Sequence, residues 1–194
     1  MYKQERESRR NLTLLRTALL AVVATLLASG ALVAQSHGDQ FTAVLANMAG
    51  GGTAPVVIHI DHYSSDAQIA NLKAILANKG PDALRDALWD LEAGYIRIGG
   101  GLGYPIAVAT SRPEANGGGR VVRLMMDRPI SFREQVTDAL SRDYPFSYVE
   151  IHLDASGKGE GKFIAAAKVS ITAGTVDIES FGVQPIRLLQ VKAR

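Results

Sequence analysis

Residues 144–171 read YPFSYVEIHLDASGKGEGKFIAAAKVSI, and their alternation of side chains indicates the fold class of the chain. In its first half Val149, Ile151 and Leu153 alternate with other residues, as in a strand with one buried face. The second half alternates in the same way, with these residues on one face: Phe163, Ala165, Ala167, Val169 and Ile171. The Gly-rich segment 154–161 between the two halves favours a reversal of the chain. The pattern predicts a β-hairpin.

Short extended runs lie on both sides of this hairpin. Residues 55–63 (PVVIHIDHY) alternate clearly, and residues 104–111 and 120–127 predict a second hairpin across a Gly-rich turn. The spacing of turn signals indicates about seven or eight strands in all. No helix alternates regularly with these strands, which argues against a parallel sheet.

Two helices are predicted after the strand at residues 55–63. Ser65 and Gln68 form a capping box, and apolar residues then recur at helical spacing. Gly80 ends the first helix and Pro81 opens the second. The predicted fold class is therefore α+β, an antiparallel β-sandwich or partly closed barrel with an inserted αα-hairpin. Residues 131–140 are compatible with a further helical segment.

The first 34 residues have the pattern of an export signal. A basic stretch ends at Arg16, and residues 17–34 (TALLAVVATLLASGALVA) carry no charge, which is the order found in signal peptides. A cleaved signal peptide and a membrane anchor formed by residues 12–34 both stay open, because the run approaches the ~20 residues that span a bilayer. Both alternatives place the rest of the chain in the periplasm or the extracellular space. The pair Arg9 and Arg10 leaves the twin-arginine export route open as well.

The rest of the chain predicts one domain. Residues 35–52 end in three glycines and predict a flexible transition, whereas residues 53–194 predict a single β-rich globular domain. The first 34 residues hold five basic and two acidic side chains, so the remainder carries −1 of the total charge of +2. A nearly neutral domain lacks the clustered basic face of nucleic-acid-binding proteins, and no nucleic-acid partner is expected.

The sequence contains none of the common catalytic motifs. It has no cysteine, which removes thiolate nucleophiles and thiolate metal sites. It also has no Gly-x-Ser-x-Gly and no His-Glu-x-x-His segment. No cofactor and no catalytic residue are predicted, although groups that meet only in the folded chain stay open.

One candidate metal site lies on the strand at residues 55–63. His59 and Asp61 share one face of this strand, and His152 could join them if its own strand lies adjacent. Imidazole and carboxylate groups are ligands that suit zinc or a similar metal ion. The alternative is the polar outer face of a sheet.

A candidate ligand pocket is formed by aromatic residues. Tyr104, Phe146 and Tyr148 stand at the starts of predicted strands and could line a pocket at the mouth of a barrel. Ordinary packing is the alternative, because aromatic side chains often fill the ends of sheets.

Five short segments resemble an uncharacterised family of exported bacterial proteins. They are residues 80–84 (GPDAL), 94–97 (GYIR), 128–132 (RPISF), 143–146 (DYPF) and 184–188 (QPIRL). The resemblance spans most of residues 55–192 and implies export and a single domain. It implies no activity and assigns no functional residue.

These features favour an exported, non-catalytic binding or interaction module for a small apolar ligand or a partner protein. One alternative is a metal-dependent hydrolase that uses the His/Asp cluster, and another is a tethered structural protein of the cell envelope. Membrane contact is expected only through residues 12–34, and only if the signal is not cleaved.

Overall fold

In the computed structural model, the described part of the chain forms ten β-strands and one helix. The structure describes residues 38–46, 52–115, 117–130, 143–181 and 185–194. The strands are β1 Asp39–Ala46, β2 Ala54–Ile60, β3 Gly94–Ile98, β4 Gly103–Ile106, β5 Val108–Pro113, β6 Arg120–Met126, β7 Phe146–Leu153, β8 Lys158–Thr172, β9 Thr175–Ser180 and β10 Ile186–Ala193. Helix α1, Asp66–Trp89, follows β2 in the chain. The predicted export segment 1–34 and the predicted helical segment 131–140 lie outside the described residues.

The ten strands form one antiparallel sheet that is nearly closed into a barrel. Their order is β4-β3-β2-β1-β10-β8-β7-β6-β5, and β9 pairs with the second half of β8. The edge strands β4 and β5 are separated only by Ala107, whose N–H donates to the carbonyl of Met125 at 3.0 Å. One extended run therefore pairs with β3 at its start and with β6 at its end. The predicted antiparallel β fold with a helical insertion is confirmed.

The inner face of the sheet encloses the larger apolar cluster, which we call the inner core. Its members include Phe41, Leu45, Ile58, Ile60, Ile96, Leu124, Val149, Ile151, Leu153, Phe163 and Leu188. Strand β7 contributes the three inward residues that the alternation in residues 144–171 predicted. Strand β1 lies between β2 and β10, so the sheet begins at Asp39. Strand β1 is therefore formed by residues 39–46 of the segment 35–52, for which the sequence predicts a flexible transition.

A second cluster, which we call the outer core, lies between α1 and the outer face of the sheet. Its members include Leu72, Leu76, Leu84 and Leu88 from α1, with Val108, Phe146, Tyr148, Ile164, Ala167 and Val169 from the strands. Gly80 interrupts α1 with φ of 83° and ψ of −177°, a conformation that favours glycine. The two predicted helices are therefore two helical segments that meet at Gly80. No helix in the described ranges is long and apolar enough to cross a membrane.

Strand β8 exchanges its inward and outward faces halfway along because its register shifts. Phe146 pairs with Ala167, whereas Tyr148 pairs with Ile164, so β8 holds one residue more than β7 between these pairs. Phe163 consequently lies in the inner core and Ala167 in the outer core. The sequence predicted these two residues on one face. The β-bulge moves the second half of the strand to the opposite face, which alternation alone does not reveal.

Candidate functional site

An open groove, which we call the outer groove, runs between α1 and the outer face of the sheet. Its volume is about 270 Å³. Apolar side chains form most of its lining, including Ile69, Leu72, Leu76, Leu84, Val108, Met125, Val169, Val176 and Ile178. Polar atoms come from Lys73, Thr110, Arg123 and Tyr148. The groove is therefore an apolar channel with polar groups among its lining.

The two walls of the groove follow from local sequence. On α1, Leu72 and Leu76 are four residues apart and face the sheet, while Lys73 beside them stays exposed. Strands β8 and β9 form the other wall as a two-stranded ribbon, in which Val169 pairs with Ile178. A tight turn with positive φ at two residues, 173 and 174, joins the strands of this ribbon.

Glu150 of β7 is the centre of a polar network beside the groove. The Tyr148 hydroxyl donates to Glu150 Oε2 at 2.9 Å, and Arg123 Nε donates to the same oxygen at 2.8 Å. Lys162 Nζ lies 3.0 Å from Glu150 Oε1, and His152 Nε2 lies 3.3 Å from it. Only 13% of the Glu150 side chain is exposed. Two residues of the groove lining, Arg123 and Tyr148, are thus held by one carboxylate.

The protonation state of this network follows from its contacts. Burial raises the pKa of Glu150, but hydrogen bonds from Lys162, Tyr148, Arg123 and His152 outweigh it and lower the pKa to about 2. Burial and the bond to Glu150 raise the pKa of Tyr148. Glu150 therefore stays ionised and Tyr148 stays protonated at neutral pH. The network is a fixed arrangement that positions the guanidinium of Arg123.

His152 extends the network across the outer face of the sheet. Its Nδ1 lies 2.9 Å from Glu114 Oε1, on the other side of the ring from Glu150. The hydrogen bond with Glu114 raises the pKa of His152; burial opposes this shift and the contact with Glu150 adds to it. The His152 imidazole lies between two carboxylates and connects β7 to the residue that follows β5.

A separate polar group is associated with the inner core. Asp39 Oδ2 accepts hydrogen bonds from the Tyr63 hydroxyl and from Arg120 Nη1, the latter at 2.6 Å. The Arg120 guanidinium also lies 5.7 Å from the centre of the Phe41 ring. Burial raises the pKa of Asp39, but the bonds from Arg120 and Tyr63 outweigh it and lower the pKa. Because Phe41 is fully buried, this group covers the inner core and lies apart from the outer groove.

The structure brings two of the three predicted aromatic residues together. Phe146 is fully buried in the outer core, and Tyr148 lies in the same cluster and lines the outer groove. Tyr104, on β4, packs against the inner core instead. Of these residues Tyr148 alone lines the groove, which lies on the outer face of the sheet and not at the mouth of a barrel.

The structure brings together only two of the three predicted metal ligands. His59 Nε2 and Asp61 Oδ1 are 3.1 Å apart, so this pair is brought together. His152 is on β7, and the three strands β1, β10 and β8 lie between it and β2. Among the residues that the structure describes, no group of three or more His, Cys, Asp or Glu side chains is placed to hold a metal ion. The adjacent strands that the predicted site required are not found.

Several groove residues carried no signal in the sequence. Lys73 and Ile178 look like ordinary residues of a helix and a strand, and only the packing of α1 on the sheet places them together. Glu150 did carry a weak signal, because it alternates with Tyr148 and His152 on the face opposite the inner core. Its partners Arg123 and Lys162 belong to neighbouring strands, which the sequence alone does not align.

Comparisons with protein-family models, curated proteins and solved structures found no match for this chain.

Proposed function

We propose that the chain is an exported, non-catalytic binding domain that holds a small amphipathic molecule in the outer groove. The observation that carries this proposal is the groove itself, an open apolar channel of about 270 Å³ between α1 and the sheet. Ligand sites are concave and mostly apolar, with a few polar groups that fix orientation. This volume lies just below their usual range of roughly 300–1,000 Å³, which favours a small ligand or a single alkyl chain.

The polar lining supports an anionic group on this ligand. The charge of Arg123 is matched by Glu150 at 2.8 Å. Lys73 is exposed and makes no ion pair within the described part of the chain. Among the described residues that line the groove, none is acidic. An alkyl chain in the groove with a carboxylate near Lys73 would satisfy both the apolar walls and this unmatched charge.

The accessible side of the groove is formed by partly exposed residues. Val176 and Ile178 on β9 and Ile69 on α1 are only half-buried, whereas Leu72 and Val169 beneath them are buried. A ligand that covers these half-buried side chains would remove their exposed apolar surface from water. Each Å² of apolar surface buried in this way favours binding by about 25 cal/mol.

Calorimetric titration of the full-length chain with decanoate tests the proposal. We expect saturable binding, with weaker binding of decanol because it lacks the charge. Val176→Phe should fill the groove and weaken decanoate binding at least about fivefold, since inserted bulk costs about 1–3 kcal/mol. Lys73→Gln should weaken it about two- to fivefold, the range of an exposed ion pair.

Lys79→Gln is the matched control, because Lys79 is an exposed lysine of the same helix that does not line the groove. It should leave decanoate binding unchanged. Absence of saturable binding, or equal affinity in wild type and Val176→Phe, would overturn the proposal.

A further inference from the structure

A second cavity lies where α1 ends, and none of its described lining residues belongs to the outer groove. Its volume is about 460 Å³. The lining consists of Trp89, Asp90, Leu91, Glu92, Tyr95, Gly103, Pro105, Ala107, Asp127 and Arg128. We call it the Trp89 cleft. It combines aromatic rings with charged side chains, unlike the mostly apolar outer groove.

Trp89 is the exposed aromatic residue of this cleft. Its side chain is 68% exposed, although large apolar residues are usually buried. The guanidinium of Arg128 lies 5.2 Å from the centre of the Trp89 ring, within the distance of a cation–π contact. The indole therefore already has a cation at one face within the chain, and its high exposure leaves further ring surface open to solvent.

The position of Arg128 is fixed by a buried carboxylate. Arg128 Nε and Nη2 donate to the two oxygens of Asp127 at 3.0 and 3.1 Å, and Asp127 is only 5% exposed. This two-pronged pair neutralises both charges and holds the guanidinium beside the indole. It raises the pKa of Arg128, whose cation is therefore permanent.

Two further carboxylates give the cleft a negative balance. Asp90 and Glu92 are exposed, and neither makes an ion pair with another described residue. With Asp127 matched by Arg128, the cleft keeps two unmatched negative charges beside an exposed indole. Tyr95 adds a second ring beside Gly103, and this ring already contacts the guanidinium of Arg97 at 5.3 Å. Rings together with carboxylates are the environment that binds organic cations.

We infer that the Trp89 cleft binds a small organic cation, an alkylated ammonium group in particular. The indole would contact the alkyl groups and the charge through its face, and Asp90 and Glu92 would supply the opposite charge. This site is independent of the outer groove, so that either can fail without the other.

The single tryptophan of the chain makes the test specific. The fluorescence of the full-length protein reports on Trp89 alone. We expect a saturable change on titration with choline chloride at constant ionic strength. The neutral isostere 3,3-dimethylbutan-1-ol has nearly the same shape without the charge, and it should produce no saturable change.

Variants that keep Trp89 separate the roles of charge and shape. Asp90→Asn combined with Glu92→Gln should weaken choline binding roughly three- to tenfold, as expected for two exposed charges. Asp82→Asn is the matched control, because Asp82 is an exposed carboxylate of α1 that does not line the cleft. It should bind choline as the wild type does. No response to choline, an equal response to its neutral isostere, or unchanged binding in the double variant would each overturn the inference.

Discussion

The inner and outer cores are built from some of the same strands but differ in how completely they are enclosed. The sheet surrounds the inner core, whereas the outer core is covered by α1 and the β8–β9 ribbon, which leave a groove of about 270 Å³. The difference suggests a division of roles, with the inner face holding the fold together and the outer face free to bind. Strands β7 and β8 each supply residues to both cores, and the β-bulge in β8 exchanges the two faces of that strand.

The polar groups follow the same division. Asp39, Tyr63 and Arg120 form a compact set over the inner core. Glu150 instead gathers side chains from three strands beside the outer groove. Each set contains a carboxylate whose pKa is lowered by its partners. The carboxylate of Glu150 also positions Arg123 and Tyr148, which line the outer groove.

The largest effect that separates the two cores is expected from truncation of Phe163. Phe163→Ala should lower the free energy of unfolding by about 3–5 kcal/mol, because it removes a fully buried ring and leaves a cavity. Val176→Ala, at the half-buried wall of the groove, should cost about 1 kcal/mol or less. Urea unfolding measures both changes. Equal losses would show that the two cores do not differ in their contribution to stability.

A smaller effect is expected at the centre of the outer network. Glu150→Gln removes the charge that pairs with Arg123 and Lys162 and should destabilise the fold by about 2 kcal/mol, the scale of hydrogen bonds to a charged group. Glu160→Gln on β8 is the control, because Glu160 is an exposed partner of Arg187 and should change stability by about 0.5 kcal/mol or less. Comparable losses in the two variants would contradict a central role for Glu150.

The smallest effect is the pH dependence of this difference. The folded pKa of Glu150, about 2, lies below the ordinary value of 4.5. Its stabilisation is therefore fully present above the ordinary value and is lost as the pH falls from there towards the folded value. The difference in unfolding free energy between wild type and Glu150→Gln should shrink over this interval. If the difference in unfolding free energy stayed constant down to the folded pKa, it would contradict the lowered pKa of Glu150.

The sequence predicted the strands better than their assembly. Alternation identified the inward residues of β7, and Gly80 with Pro81 identified the junction in α1, because these signals are local. The sequence does not reveal the face change in β8, because apolar residues alternate in the same way in both halves of the strand. The first half turns them towards the inner core and the second half towards the outer core. The single predicted run at residues 104–111 is two strands, because its partner changes at Ala107.

The candidate site was less accessible from the sequence. Tyr148 was singled out and does line the outer groove, but Tyr104 packs against the other core. His59 and His152 both alternate outward along their strands, which is compatible with a shared metal site. Three strands nevertheless lie between β2 and β7. Which strands are neighbours depends on long-range pairing, and the groove depends on where α1 packs. Neither is encoded in a local pattern.

The continuous run through Ala107 has a consequence for engineering the chain. Ala107 lies between two strands, and junctions between strands are where new termini and tags are usually placed. Ala107 itself is only 3% exposed. Cutting there would separate the two edges of the sheet, and each would then be free to pair with another molecule. Residues 99–101 and 117–118 form exposed turns instead. A circular permutant opened at either turn would leave the ring of strands tied together.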